Sequence, residues 1–419
     1  MRIRRHSPAS IAMLALVLAS SAFFAFAGFY SGVREEDYRN LDLPILNVHT
    51  YGRQVSSTEN FLDAVYTLDD GDSHWEGGCK IKGRGNSTWR TIDTSKKPYL
   101  LKLDEEAGLL GMGSARRWVL KASATDKSFL RDEYAFHLAH EVWNRFAWTP
   151  RQKFVNMVLN GKYIGLYGIQ EKIEIAPGRV DIDPAQGSIL LKIDEHRNTR
   201  YSFTSNQGVI FNIVEADGME YSWDEFLKIE DLVNDREEYL YGEKGRPGDW
   251  TRYFDLDSLV DWYLVNEFTK NHDSRFQGSC FIHYDGPGDK FYMGPVWDFD
   301  LSSGNTDASG CSEADGYITD QAFWYDQLLQ DDIFVDALKG RWKEKREELD
   351  RSIDLIQGWA DGLADAAILN DRVWKSFGHR QWPNPRGWRN RKTYQSEIDY
   401  MTEYLRARLA WLDSQWGGD

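Results

Sequence analysis

The sequence predicts a two-lobed α+β protein, with a β-rich first lobe over residues 44–175 and a mainly helical second lobe over residues 176–419. Three observations predict it. Residues 44–170 carry short alternating apolar runs separated by turn residues, as half-buried strands do. From about residue 220 the apolar spacing becomes that of core-facing helices. The length of 419 residues holds two such lobes at roughly 100–200 residues per domain.

Residues 1–27 read as a secretory signal. Arg2, Arg4 and Arg5 stand without an acid, and the chain from Ile11 to Phe26 is apolar apart from Ser20 and Ser21. Ala25-Phe26-Ala27 then supplies small residues at a cleavage site. The run from Ile11 to Tyr30, about 20 residues, is also long enough for an uncleaved membrane anchor. Either way the expected location is outside the cytoplasm, secreted or in the cell envelope, with membrane attachment through this segment only. Residues 28–43 are polar and read as a linker.

In the first lobe, Cys79-Lys80-Ile81-Lys82 alternates as a strand, and Gly83-Arg84-Gly85-Asn86-Ser87 follows as a turn. Further strands are expected at Pro98–Leu103 and Arg117–Leu120, and a helix over Phe129–Phe146. Asn160-Gly161, between Val155–Leu159 and Tyr163–Ile169, marks a tight hairpin. Gly187–Ile193 and Val209–Val214 are two more short strands. In the second lobe Leu256, Leu259, Val260, Tyr263, Leu264 and Phe268 form one helical stripe, capped by Asp255 or Asp257.

Composition excludes several classes. Apolar residues are 42% and charged residues 28%, which rules out wholesale disorder. A net charge of −16 argues against a nucleic-acid partner but leaves room for a local basic pocket. Three cysteines, Cys79, Cys280 and Cys311, exclude a disulfide scaffold; a Cys280–Cys311 bridge and buried free thiols both stay open. His137 and His140 lack the Glu of a metalloprotease helix and read as helix-surface residues.

One constellation carries chemistry. The Leu256 helix ends near Asn271-His272-Asp273, and the runs Ser279–Tyr284 and Phe291–Val296 follow, joined by Asp285-Gly286-Pro287-Gly288-Asp289. The second run leads into Trp297-Asp298-Phe299-Asp300. A hairpin brings its open ends together, so Asp273 and Asp298 are expected to meet. Facing carboxylates can hold Mg²⁺, divide into metal ligand and general base, or serve a glycosidase. Gly83 and Gly85 let backbone amides approach an anion, and Arg84 binds phosphate oxygens well. Lys96-Lys97 opens the next strand, and Glu171 closes the hairpin strand at the lobe junction, where it either lines the cleft or pairs with Lys172.

These residues, in order, resemble the spore-coat protein H (CotH) kinase family. The resemblance rests on Gly83–Trp89, Lys96–Tyr99, Leu130-Arg131, Leu159–Tyr167 with Glu171, Asn271-x-Asp273 and Gly294-Pro295-x-Trp297-Asp298-Phe299-Asp300, and it spans roughly residues 44–415. It implies a bilobal, atypical protein-kinase-like fold with ATP between the lobes and Mg²⁺ or Mn²⁺ as cofactor. Asp273 would be the catalytic aspartate and Asp298 a metal ligand. Gly83, Arg84, Gly85, Asn86 and Ser87 would cover the phosphates, with Glu171 and Trp297 bordering the nucleotide. Lys97 would be the phosphate-pairing lysine, with Lys102 and Lys121 as fallbacks. Where family members often carry a second metal-ligating Asn, this chain has Gly278, and Ser279 beside it offers an oxygen. The implied activity is transfer of the γ-phosphoryl group of ATP to Ser or Thr of surface or coat proteins. The alternatives are AMP or glutamate transfer, a non-catalytic surface or adhesin module, and a secreted glycoside hydrolase.

Overall fold

Strand pairing closes the first lobe on itself. The computed structural model describes residues 32–85, 87–90, 96–197 and 199–417. The signal or anchor reading of residues 1–27 and the site assignment of Asn86 therefore lie outside the described residues. The strands are β1 (Ile45–His49), β2 (Leu62–Asp69), β3 (His74–Gly83), β4 (Tyr99–Ala107), β5 (Ala115–Lys121), β6 (Gln152–Leu159) and β7 (Lys162–Glu171), in the closed order β1-β2-β3-β4-β5-β7-β6. Neighbours are antiparallel except β1 and β6, whose parallel pairing closes the ring. Asn160 and Gly161 take φ of 51° and 75° between β6 and β7, the left-handed pair that a two-residue hairpin needs.

The barrel interior is packed with side chains, among them Leu46, Leu68, Ile81, Leu101, Trp118, Leu120, Val155 and Ile169. Alternation then fixes what faces outward. On β5, Trp118 and Leu120 point in, so Arg117, Val119 and Lys121 belong to the outer face. Val119 joins a second, larger core with Leu130, Leu191 and Leu264.

That second core runs from the outer face of the barrel into the rest of the chain, which combines a sheet with helices. Its strands are β8 (Ile189–Ile193), β9 (Ser202–Thr204), β10 (Ile210–Ile213), β11 (Cys280–Tyr284) and β12 (Phe291–Met293), antiparallel in the order β12-β11-β8-β10-β9. The α-helices among the described residues are α1 (Glu35–Arg39), α2 (Ser87–Arg90), α3 (Arg131–His137), α4 (Trp223–Leu240), α5 (Leu256–Thr269), α6 (Phe323–Leu328), α7 (Asp332–Trp374) and α8 (Tyr394–Trp416). Asp255 caps α5 by accepting from the Ser258 amide at 2.8 Å. Every residue of α5 from Ser258 to Thr269 is buried, so the helix is enclosed on all sides and its apolar stripe understates its burial. The end of α7 joins the lobes: Trp374 Nε1 donates to the Ile164 carbonyl at 2.9 Å, and Asn370 Oδ1 accepts from the Leu166 amide at 3.2 Å.

The α+β make-up and its order, β-rich then largely helical, agree with expectation. Several local expectations change. The helix expected from Phe129 to Phe146 is α3 followed by a wide π turn over Leu138–Val142, and Phe129 lies before it with φ of 62°. The segment read as a linker carries α1, whose Tyr38 stacks on Tyr163 at 5.1 Å and packs with Val158 and Leu369. His137 and His140 are partly buried: His137 meets the Trp359 ring edge-on at 5.1 Å, and a ring nitrogen of His140 lies 3.3 Å from the Pro150 carbonyl. All three cysteines are free and buried, which settles the Cys280–Cys311 alternative. Among the described residues no helix is long and apolar enough to cross a membrane.

Candidate active site

The outer face of β5, the end of β8 and the open end of the β11–β12 hairpin enclose a cavity of about 440 Å³, a volume that suits a small-molecule ligand. Arg84, Gly85, Lys121, Lys192, Asp194, Asp273, Ser279, Trp297, Asp298 and Asp300 all line it.

Lys121 is its electrostatic hub. Its ammonium pairs with Asp298, with Asp132 at 3.1 Å and with Asp300 at 3.7 Å. Burial alone would make Lys121 release its proton more easily, but Asp132, Asp298 and Asp300 outweigh it and hold the ammonium charged. Asp132 comes from the first turn of α3 and also accepts from the Phe299 amide at 2.7 Å. It thereby fixes the loop that carries Asp298 and Asp300. The buried Arg131 beside it donates to the Ser302 carbonyl at 3.0 Å and pairs with Asp126 at 2.5 Å.

The carboxyls diverge in proton affinity. Burial would raise Asp298, but Lys121, Arg84 and Lys192 pull it down to about 2. Asp273 makes no ion pair among the described residues: burial, then Asp298, Asp300 and Asp194, push it up to about 7, against a smaller opposing pull from Lys121. Burial likewise raises Asp300 to about 7, with Asp298 and Asp132 adding to it; Thr125 Oγ1 donates to its Oδ2 at 2.9 Å. Asp273 sits in the short turn His272–Arg275 after α5, where the Asn271 side chain accepts from its amide. Ser279 Oγ donates to Asp298 Oδ2 at 3.3 Å. The backbone is strained here: Ser123, Ser279 and Asp298, all on the cavity wall, have φ of 46°, 58° and 65°. Such non-glycine conformations cost about 1–3 kcal/mol each and gather at functional sites.

Asp273, Asp298, Ser279, Trp297, Arg84 and Gly85 therefore come together. The Arg84 guanidinium lies over the Trp297 ring at 5.2 Å. Gly83 stands one residue back, where the Trp89 ring fills the space of a Cβ at 2.5 Å, and Ser87 opens α2. Two residues fall elsewhere. Lys97 does not line the cavity; its ammonium caps the Thr88 and Trp89 carbonyls at 3.3 and 3.1 Å. Lys97 lies before β4 begins, and its side chain turns back to the end of α2. Of the fallbacks, Lys102 faces Asp217 at 3.6 Å, and Lys121 occupies the cavity. Glu171 lies at a separate cavity. It accepts from the Gly113 amide at 3.0 Å, the Arg151 amide at 2.9 Å and Arg179 at 2.8 Å.

The family model described as CotH kinase protein matches residues 81–412. The chain belongs to the CotH kinase family. No curated protein matches it. The matched span includes Lys121, Asp273 and Asp298, so the CotH assignment and the cavity concern the same part of the chain.

Sequence reasoning missed Asp132, Lys192 and Asp194. Lys192 pairs with Asp194, whose Oδ1 accepts from the His196 amide at 2.8 Å. A Cβ at Gly278 would sit 3.8 Å from Asp273 Oδ2 and 3.9 Å from Asp194 Oδ2, so the backbone runs close to both carboxylates. The signal for Lys192 and Asp194 was their i, i+2 spacing at the end of β8; Asp132 had no local signal. Among the described residues no three or more His, Cys, Asp or Glu side chains are grouped to hold a metal by themselves. The cavity does offer hard oxygens from Asp298, Asp300 and Ser279. That set fits Mg²⁺ or Mn²⁺, which bind through one or two carboxylates plus substrate phosphates.

Proposed function

We propose that this protein is an exported CotH-type kinase that moves the γ-phosphoryl group of ATP to a Ser or Thr hydroxyl of a surface or coat protein. The observation that carries this reading is that Asp273 and Asp298 line one cavity with Lys121 and Arg84, where burial and neighbouring acids raise Asp273 while Lys121 holds Asp298 low. A carboxyl poised near neutrality suits proton acceptance, and one held ionised suits a cation. The basic start and apolar run of residues 1–27 support export.

In this reading Asp273 takes the acceptor's hydroxyl proton as that oxygen bonds to the γ-phosphorus. The bond to the β,γ-bridging oxygen breaks and ADP leaves. Lys121 and Arg84 sit against the phosphate oxygens, where fixed positive charge favours the transition state. Asp132 keeps Lys121 charged and aimed. A divalent ion held by Asp298, with Ser279 or Asp300 beside it, would neutralise phosphate charge when bound. Two cations on the same wall as the acids also favour an anionic substrate over a sugar.

The test incubates purified protein with γ-labelled ATP, Mg²⁺ or Mn²⁺ and generic acceptor proteins. Label is expected on Ser or Thr and is expected to vanish in Asp298→Ala. Undiminished label in that variant overturns the assignment, and protein labelled from α-labelled ATP identifies AMP transfer instead.

A further inference from the structure

The loop between α7 and α8 carries charge opposite to the rest of the molecule. Residues 375–392 contain Lys375, Arg380, Arg386, Arg389, Arg391 and Lys392 and no acid, in a chain of net charge −16. Arg391 is committed to Glu397 at 2.9 Å. Arg380, Arg386 and Arg389 are exposed, and among the described residues none of the three pairs with a carboxylate. They line an open groove of about 640 Å³ with Trp388 and Asn390. Its one acid, Asp307, is engaged by the Arg386 amide at 3.0 Å.

This groove is tied to the catalytic cavity. Trp382 and Pro383, from the same loop, line that cavity, and Trp382 is 52% exposed. The next residue, Asn384, lines the groove, and its side-chain amide donates to the Thr125 carbonyl at 2.8 Å. Thr125 holds Asp300 through its hydroxyl. Lys127 adds a second tether, donating to the His379 carbonyl at 2.7 Å. One loop thus borders both spaces, and its position is set by the residue that holds a cavity acid. Arg389 lies over the Trp388 ring at 4.9 Å, which leaves its N–H edge open. Solvated guanidiniums without a carboxylate partner recognise carboxylates or phosphate groups bidentately, and an exposed Trp beside them adds apolar contact.

We propose that the Arg380–Arg386–Arg389 groove is the acceptor-docking surface, and that the acceptor is an acidic protein segment whose Ser or Thr lies beside Asp and Glu. The inference rests on the kinase reading for what happens to that hydroxyl, but the docking itself does not. A carboxylate-rich strand in the groove runs past Trp382 and presents its hydroxyl to Asp273. Steering by three like charges makes docking depend on ionic strength.

The full chain is titrated, by fluorescence anisotropy, with a labelled Ser peptide flanked by Glu and with its Lys-flanked counterpart. The Glu peptide is expected to bind at least about tenfold tighter, less so at high salt. Arg380→Ala/Arg386→Ala/Arg389→Ala is expected to erase that preference while leaving the ATP affinity unchanged. Arg380→Glu/Arg386→Glu/Arg389→Glu is expected to reverse the preference, which separates charge recognition from a folding defect. Equal binding of the two peptides, or an unchanged preference in the triple Ala variant, overturns the proposal. Labelled-ATP transfer to the same peptides is read separately. Arginine-dependent binding without transfer sinks the kinase reading and leaves the docking surface. Transfer with no arginine-dependent acceptor preference does the reverse.

Discussion

Two acid-bearing cavities flank strand β5, and they use buried charge in opposite ways. At one end Glu171 has a separate donor for each demand: Arg179, the Gly113 amide and the Arg151 amide together satisfy both oxygens. At the other end Asp132, Asp298 and Asp300 share one ammonium, Lys121, and Asp273 is left without a cation of its own. The ingredients are similar. A carboxylate with dedicated donors holds structure, whereas carboxylates competing for one cation are driven apart in proton affinity and become chemically useful.

The comparison breaks most readily at Asp273. Asp273→Asn is expected to lower the rate of phosphoryl transfer about 10²–10⁴-fold, the range for losing a general base, with little change in ATP affinity. A rate within tenfold of the native one would remove Asp273 from the chemistry. Lys121→Met comes next. It is expected to cost about 10²–10³ in transfer and about 3–5 kcal/mol in stability by urea unfolding, because three carboxylates lose their shared partner. The matching change at the other cavity, Arg179→Met, is expected to lose a similar 3–5 kcal/mol while leaving the KM for ATP unmoved. A shift in that KM would mean the two cavities are not separate in function.

Proton linkage sharpens the contrast further. Asp273 is raised in the folded chain from 3.8 to about 7, so it stabilises below its unfolded value and that stability is lost as pH rises to about 7. In chelator-treated protein, the stability of Asp273→Asn relative to the native chain is therefore expected to climb between about pH 4 and pH 7. A flat difference across that window contradicts the assigned environment. The smallest effect is expected for Ser279→Ala, which removes one 3.3 Å hydrogen bond to Asp298. About 0.5–1.5 kcal/mol should be lost, read as a several-fold weaker Mg²⁺ dependence of transfer.

Much of the fold was legible because its signals are local. Asn160-Gly161 demands left-handed backbone, and the capped Leu256 helix carries its own periodicity. The convergence of Asp273 and Asp298 followed from hairpin geometry alone. What was hidden depended on barrel closure. No local pattern announces that β1 pairs with β6 across more than a hundred residues. Without the ring, inside and outside of each strand were undetermined, and Lys97 was favoured over Lys121. Alternation around Trp118 and Leu120 contained the answer once an interior was defined. Glu171 was misplaced for the related reason that its partner Arg179 comes from the chain beyond the strand that Glu171 ends. Asp132 was hidden because its roles, a lysine from β5 and the Phe299 amide, are both tertiary.

The closing pair of the barrel has a practical consequence for anyone dividing this chain. The family match begins at residue 81, inside β3, yet β1 and β2 lie before it. A fragment cut to the matched span would strip two staves and most of a third from the ring. It would expose the flanks of β4 and β6 and open the interior that keeps Lys121 facing outward. Expression boundaries belong upstream of α1, whose Tyr38 is seated on Tyr163 of the hairpin strand β7.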